Sequence, residues 1–128
     1  IVILAGENID EMQSFLNETL SIKKAPPMQS RIRAISKVFG LPEDTKYKSA
    51  ALAIKGQSFI ELDEMPSDAG PRSCRNGFLP PGISIVSFIA HESEFIDESY
   101  DSSIPSFENV QARTIKGMSG ELIEILNA

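Results

Sequence analysis

Hydrophobic and polar residues alternate along the chain with two different periods, one typical of strands and the other typical of helices. Residues 1–5, IVILA, form a short apolar run that predicts a buried strand. From Ile9 to Leu20 the apolar residues instead recur every three or four positions, which predicts an amphipathic helix. Asn8 and Glu11 at its start have the spacing of a capping box. The chain is therefore expected to open with a strand, a turn and a helix.

A second helix and two strands are expected before residue 66. Ser30 is predicted to cap a short helix that ends at Gly40, because glycine followed closely by Pro42 is a common stop signal. The segments YKSAALAI (47–54) and SFIELDEM (58–65) then have the composition of strands.

The stretch 66–82 separates this part of the chain from a second run of elements. It holds four of the eight prolines together with three glycines, a composition typical of a linker. After it, ISIVSFIA (83–90), VQARTIKG (110–117) and GELIEILN (120–127) predict strands, and SEFIDESY (93–100) predicts one or two helical turns.

The second run repeats the first in degenerate form. IVILAGEN, from Ile1, aligns with IVSFIAHE, from Ile85, and SFIELD aligns with ELIEIL, so that Glu61 aligns with Glu124. This pattern predicts an internal duplication. We expect a single domain of two modules, the first at about 1–65 and the second at about 83–128.

Each copy places a glutamate in the middle of an apolar strand. Glu61 shares a strand face with Phe59 and Asp63, and Glu124 shares one with Leu122, because alternate residues point to the same side. A carboxylate in apolar surroundings is costly unless it is paired, protonated or bound to a metal, and its pKa is expected to rise. Two interpretations stay open: a working acid, base or metal ligand, or a hydrogen-bonded residue without a function.

Four other residues are candidates for a site. Tyr47 is expected either to orient a ligand or to pack within the sheet. His91, the only histidine, lies just after a predicted strand and is either a ligand or a solvated loop residue. Arg72 and Arg75 lie in the linker, where they either grip an anionic substrate or face solvent.

Composition excludes several classes of function. The 128 residues suffice for one ordinary domain, and the net charge of −6 disfavours nucleic acid and anionic membranes as partners. No apolar run approaches the roughly 18 residues of a membrane span. The single cysteine, Cys74, excludes an internal disulfide. We therefore expect a cytoplasmic protein.

Five segments, taken in order, resemble the glyoxalase/bleomycin-resistance superfamily, also called the vicinal oxygen chelate superfamily. They are ILAGENIDEMQSFL, ISKVFGLPED, QSFIELDEMP, LPPGISIVSF and GELIEIL. The resemblance implies a mixed α/β (α+β) fold of two βαβββ modules whose sheets close into a cup. The second module is expected to have the shorter helix.

The resemblance also implies a site. Glu61 and Glu124 match the carboxylate positions on the fourth strand of each module, where members hold a divalent metal, and both are expected to face a common cavity. The first-strand positions, usually histidine, fall on Ile1 and Ile85, which cannot bind a metal. We therefore expect little or no tightly bound transition metal, and at most weak binding of Mg²⁺ or Mn²⁺. The expected ligand-binding residues are Tyr47, Phe59, Ile85 and Leu122.

Three functional hypotheses follow from the resemblance. The first is a metal-assisted lyase, isomerase or dioxygenase that acts on a small oxygen-bearing molecule. The second is a metal-free protein that binds or sequesters a small molecule in an apolar cup. The third is a domain that works only with a partner or a second copy, and a homodimer is expected. The sequence leaves open whether the protein is an enzyme.

Overall fold

The computed structural model describes residues 1–56, 58–90, 100–101 and 111–127. The chain divides into two compact units, Ile1–Pro71 and Arg72–Ala128. The point of division lies inside the linker predicted at residues 66–82. That the two units together make up a single domain stays a prediction.

The first unit contains four strands and two helices, and the described part of the second contains four strands. In chain order the elements are β1 (Val2–Gly6), α1 (Ile9–Leu20), β2 (Met28–Arg31), α2 (Arg33–Phe39), β3 (Lys46–Ala53), β4 (Phe59–Glu64), β5 (Ile85–Ala90), β6 (Tyr100–Asp101), β7 (Gln111–Lys116) and β8 (Leu122–Asn127).

Both units form a four-stranded sheet with the same strand order. The first sheet runs β1-β4-β3-β2 and the second runs β5-β8-β7-β6. In each, the first and last strands pair in parallel and the other neighbours pair antiparallel. The predicted mixed α/β fold of βαβββ type is therefore confirmed. The shorter helix expected in the second module falls at residues 93–100, of which 93–99 lie outside the described residues.

Helix α1 is anchored to the first sheet at its N-terminus. The side-chain oxygen of Asn8 accepts hydrogen bonds from the backbone N–H groups of Asp10 and Glu11, as the capping pattern predicts. The Glu64 carboxylate, at the end of β4, accepts another from the Ile9 N–H at 3.2 Å. Because an acidic group at a helix N-terminus also complements the helix dipole, this contact favours the strand-to-helix geometry.

The hydrophobic core of the first unit lies on the side of its sheet that faces α1. Lys48 of β3 forms a 2.6 Å ion pair with Asp10 of α1, which shows that the helix covers the face to which Lys48 belongs. Leu52, Ile60 and Leu62 on that face are fully buried. Fully burying a side chain of this size stabilises the fold by about 1.5–3 kcal/mol.

The start of α2 differs from the prediction. Ser30 does not cap a helix but lies in β2, where it pairs with Tyr47 of β3 and its hydroxyl lies 2.6 Å from that of Ser49. Helix α2 follows Ile32 without a side-chain cap. The predicted end at Gly40 is confirmed, since that glycine takes the left-handed conformation, with φ of 63°.

The turn between β7 and β8 is held by the backbone and side chain of Glu121. Its carbonyl accepts a hydrogen bond from the Gly117 N–H, and its carboxylate accepts one from the Ser119 N–H at 2.9 Å. The carboxylate occupies the space that a side chain on Gly117 would need. The absence of a side chain at Gly117 therefore lets this turn close and fixes the start of β8, the strand that carries Glu124.

A buried pair of hydroxyls joins α2 to β3, and its removal provides a test of that packing. Replacing Tyr47 by Phe leaves the fully buried Ser36 hydroxyl without its 2.8 Å partner. We expect the free energy of unfolding to fall by about 1–3 kcal/mol, measured by urea denaturation. The matched control is the double variant with Ser36→Ala, which should lose less than the sum of the single variants. Unchanged stability of Tyr47→Phe would contradict this packing.

Candidate functional site

Glu61 and Glu124 occupy equivalent positions in the two sheets. Each lies on the strand that pairs in parallel with the first strand of its unit. Ile3 of β1 lies directly across from Glu61, and Ser87 of β5 lies directly across from Glu124. The alignment of the two halves is therefore reproduced by the strand register. We call the side of each sheet that carries its glutamate the glutamate face.

The glutamate face of the first unit contains a second carboxyl group. Asp63 lies two residues beyond Glu61 on β4, across from Ser49, and is only 4% exposed. One of its oxygens, Oδ1, is buried and has no hydrogen-bond partner among the described residues. A buried acceptor without a partner costs free energy, and this cost is larger when the group is charged.

The position of Asp63 alters its proton affinity. Burial raises the pKa of the Asp63 carboxyl above its ordinary value, and the negative charge of Glu61 raises it further. Both effects favour the protonated form. The pair can therefore hold a proton more firmly than a solvated aspartate would, which suits a group that donates a hydrogen bond or a proton.

Large apolar side chains surround the half-buried Glu61. Ile3, directly across on β1, is 57% exposed, and Phe59, two residues earlier on β4, is 39% exposed. Ala51 lies across from Glu61 on β3 and is also exposed. An apolar surface that contains a few polar groups is typical of a small-molecule site.

The glutamate face of the second unit has a different polar group. The Ser87 hydroxyl donates a hydrogen bond of 2.6 Å to Oε2 of Glu124. Thr114 of β7 lies across from Glu124 on the other side. Ile85 and Leu122, two of the predicted ligand-binding residues, lie across from each other in the same sheet, and Ile85 is exposed.

The remaining candidates take structural partners or fall outside the description. Tyr47 shares its face with Ser49 and is buried, with its hydroxyl bonded to Ser36. The Arg72 guanidinium donates hydrogen bonds to the carbonyls of Pro81 and Ile83, and Arg75 lies over the ring of Phe78. His91 lies outside the described residues. Ligand binding by Tyr47 stays a prediction.

Asp63 and Ser87 are two polar residues of these faces that the sequence did not single out as site residues. Strand alternation places Asp63 beside Glu61, but alternation alone does not reveal that it is buried. Ser87 is two residues beyond Ile85, the position that the resemblance assigned to the first-strand ligand. Knowledge of the register, which a single sequence does not provide, was needed to place Ser87 beside Glu124.

The described residues of neither unit provide a full metal site by themselves. Among them, no group of three or more His, Cys, Asp and Glu residues is arranged to hold a metal ion. The first unit offers Glu61 and Asp63, and the second offers Glu124 with the Ser87 hydroxyl. Two carboxylates with water can bind Mg²⁺ or Mn²⁺ weakly, but Zn²⁺ prefers nitrogen and sulfur ligands. Whether Glu61 and Glu124 face a common cavity stays a prediction.

Solved structures with the same fold come from several bacteria. A glyoxalase family protein from Bacillus cereus is 22% identical, with a TM-score of 0.65 over 98% of this chain and 90% of that one. The fosfomycin resistance protein FosX from Listeria monocytogenes, in complex with Mn(II) and a sulfate ion, is 14% identical, with a TM-score of 0.57 over 99% and 88%. The chain has the glyoxalase fold.

A virulence protein from Salmonella typhimurium shares this fold at 18% identity, with a TM-score of 0.54 over 98% of this chain and 92% of that one. No family model matches the sequence, and no curated protein matches it significantly. The resemblance found in the sequence is thus confirmed for the fold. In the described part of the chain, no helix has both the length and the apolar character needed to cross a membrane.

The buried carboxyl of Asp63 predicts a stability that depends on pH. Because its pKa is higher in the folded protein, its contribution to stability is greatest below the unfolded pKa and declines as pH rises through the folded pKa. Asp63→Asn should therefore raise the free energy of unfolding at pH 7 by about 1 kcal/mol, and this gain should disappear near pH 3. Urea denaturation at both pH values measures it.

The matched control for this prediction is Asp68→Asn, which changes an exposed carboxylate of the same unit. Its effect at pH 7 should stay within about 0.5 kcal/mol. An equal loss of stability in Asp63→Asn at both pH values would contradict this prediction. It would mean that a hydrogen bond made by Asp63, and not the effect of burial on its charge, determines its contribution to stability.

Proposed function

We propose that the protein binds a small, largely apolar organic molecule on the glutamate faces of its sheets without requiring a metal ion. The observation that supports this proposal best is the combination of exposed Ile3 and Phe59 with the carboxyl pair Glu61 and Asp63 on one face. The apolar residues supply contact area, and the carboxyl groups supply polar contacts that orient the ligand.

The exposed residues of the glutamate face in the first unit are available to a ligand because they are not part of the hydrophobic core. Leu62 and the other fully buried aliphatic side chains of β3 and β4 point toward the opposite face, so the exposed part of the glutamate face, at Ile3 and Phe59, is not needed to form that core. A ligand that covers an exposed phenylalanine or isoleucine removes apolar surface from water, which stabilises the complex by about 25 cal/mol per Å². A flat apolar molecule would bind through this contact while its polar group forms a hydrogen bond with a carboxyl group.

A metal-assisted lyase, isomerase or dioxygenase is the second candidate function. It is supported by the structural similarity to FosX, whose structure contains Mn(II). In this chain the residues that would hold such a metal are Glu61 and Glu124, and the metal would supply a Lewis acid for substrate oxygens. Because the described residues of each unit by itself do not fit a complete coordination shell, we derive no catalytic step through a metal.

Binding of a neutral aromatic probe tests the first proposal. Titration with 2-naphthylmethanol, followed by NMR, should shift the resonances of Ile3, Phe59 and Ile85. Phe59→Ala should weaken binding by about threefold or more, because a large contact surface is lost. The matched control is Val38→Ala, which truncates an exposed apolar residue on α2. Shifts scattered over the whole surface, or the same loss in both variants, would refute the proposal.

Metal titration decides between the two candidates. Calorimetry with Zn²⁺, Ni²⁺ and Mn²⁺ is expected to show no submicromolar binding, since the first-strand residues Ile3 and Ser87 add no strong metal ligand beside the glutamates. Stoichiometric submicromolar binding that Glu61→Gln or Glu124→Gln abolishes would establish the metalloenzyme instead. A cytoplasmic location remains part of the first proposal, supported by the presence of only one cysteine, and a homodimer stays a prediction.

A further inference from the structure

We infer that the glutamate face of the second unit selects ligands that carry a protonated amine on an apolar body. This inference rests on the proposed small-molecule binding and adds the chemical class of the ligand. It comes from the row formed by Ser87, Glu124 and Thr114, which we call the polar row.

The polar row crosses three neighbouring strands at one level. Ser87 of β5 and Thr114 of β7 both lie directly across from Glu124 of β8. Residues directly across from each other on one face of a sheet are close neighbours, so a single small ligand group can reach more than one member of the row.

The hydrogen bond within the row determines what it offers to a ligand. A serine hydroxyl has one proton, and Ser87 donates that proton to Oε2 of Glu124 at 2.6 Å. This distance is typical of a hydroxyl bound to an ionised carboxylate. With the proton engaged, the Ser87 oxygen and the Glu124 carboxylate both present acceptors. An ammonium group has three donors and no acceptor, so it is the complementary group.

Apolar side chains lie on both sides of the polar row along the strands. Ile85 and Leu122 lie at one side, and Ile89 and Leu126 lie at the other. Ile85 is 42% exposed and Ile89 is 65% exposed. A ligand whose cationic end meets Glu124 can therefore place an apolar body against an isoleucine, and it would gain both charge and contact interactions.

A positive charge also lies on this face, so a preference for cationic over anionic ligands is not guaranteed by the face having a single charge. Lys116 of β7 lies across from Leu122, two residues along the strand from Thr114, and is exposed on the same face. A ligand carboxylate would be attracted to Lys116 and repelled by Glu124. Comparing a cation with an anion on the same aromatic body therefore decides which of the two charges governs the face.

The first unit supplies the matched comparison. Glu61 occupies the equivalent place, but its neighbours across the sheet are Ile3 and Ala51, neither of which has a hydroxyl. Of the two glutamates, only Glu124 therefore has a hydroxyl group directly across the sheet. Asp68→Asn removes one negative charge from an exposed position outside both glutamate faces while leaving the polar row intact.

The experiment compares three probes of one shape: 2-naphthylmethylammonium, neutral 2-naphthylmethanol and 2-naphthoate. NMR titration of the full chain should show that the ammonium binds about fivefold more tightly than the alcohol, and the carboxylate more weakly than both. The resonances of Ile85 and Ser87 should shift. Glu124→Gln should reduce the affinity for the ammonium to that for the alcohol, Ser87→Ala should reduce it in part, and Asp68→Asn should leave it unchanged.

Raised salt provides a second measurement that needs no variant. The advantage of the ammonium over the alcohol should shrink between 20 mM and 500 mM NaCl, because salt screens a partly exposed charge pair. Equal affinity for ammonium and alcohol, preference for the carboxylate, or loss of selectivity in Asp68→Asn would overturn the inference while leaving the proposed binding of apolar molecules in place. Failure of all three probes to bind would refute both.

Discussion

The parallel pairing of the first and last strands in each unit is the constraint on which the candidate sites depend. A parallel pair requires a crossover between its strands, and in the first unit α1 covers one face of the sheet. On the other face Tyr47 is buried and bonded to Ser36 of α2, whereas Ile3 and Phe59 stay exposed. The pairing also fixes which residue lies beside each glutamate: Ile3 beside Glu61 and Ser87 beside Glu124. A slip of one residue would move both carboxylates to the opposite face, where the core residues lie.

The two copies share this framework but differ in how they accommodate a carboxylate. In the first unit, Glu61 has the buried carboxyl of Asp63 on its own strand, and the pair favours an added proton. In the second, the Glu124 carboxylate accepts a hydrogen bond from the Ser87 hydroxyl and has Ser87 and Thr114, not an acidic residue, directly across the sheet. The same fold position thus presents a proton-holding pair in one copy and an acceptor in the other.

The sequence predicts the regular elements well where local pattern and tertiary structure agree. The periodicity from Ile9 to Leu20 matches the bounds of α1, and Gly40 ends α2 as expected. The short strand β2 was missed because three of its four residues are polar and it becomes a strand only by pairing with β3. For the same reason Ser30, a residue type that favours helix caps, was placed wrongly. The burial of Asp63 escaped prediction because alternation gives the face of a residue and not what packs against it.

Strand alternation also separates the residues that stabilise each sheet from those that are available for binding. Leu52, Ile60 and Leu62 are fully buried on the face opposite Glu61, and Ile123 is fully buried on the face opposite Glu124. Exposed apolar side chains and a buried carboxyl without a full set of hydrogen bonds both reduce stability, and burial on the opposite face offsets this loss. Substitutions at the exposed positions of a glutamate face, such as Ile3 and Phe59, can consequently change ligand preference with little effect on the core. This separation explains how two copies of one sheet can keep the same topology while their carboxylates acquire different neighbours.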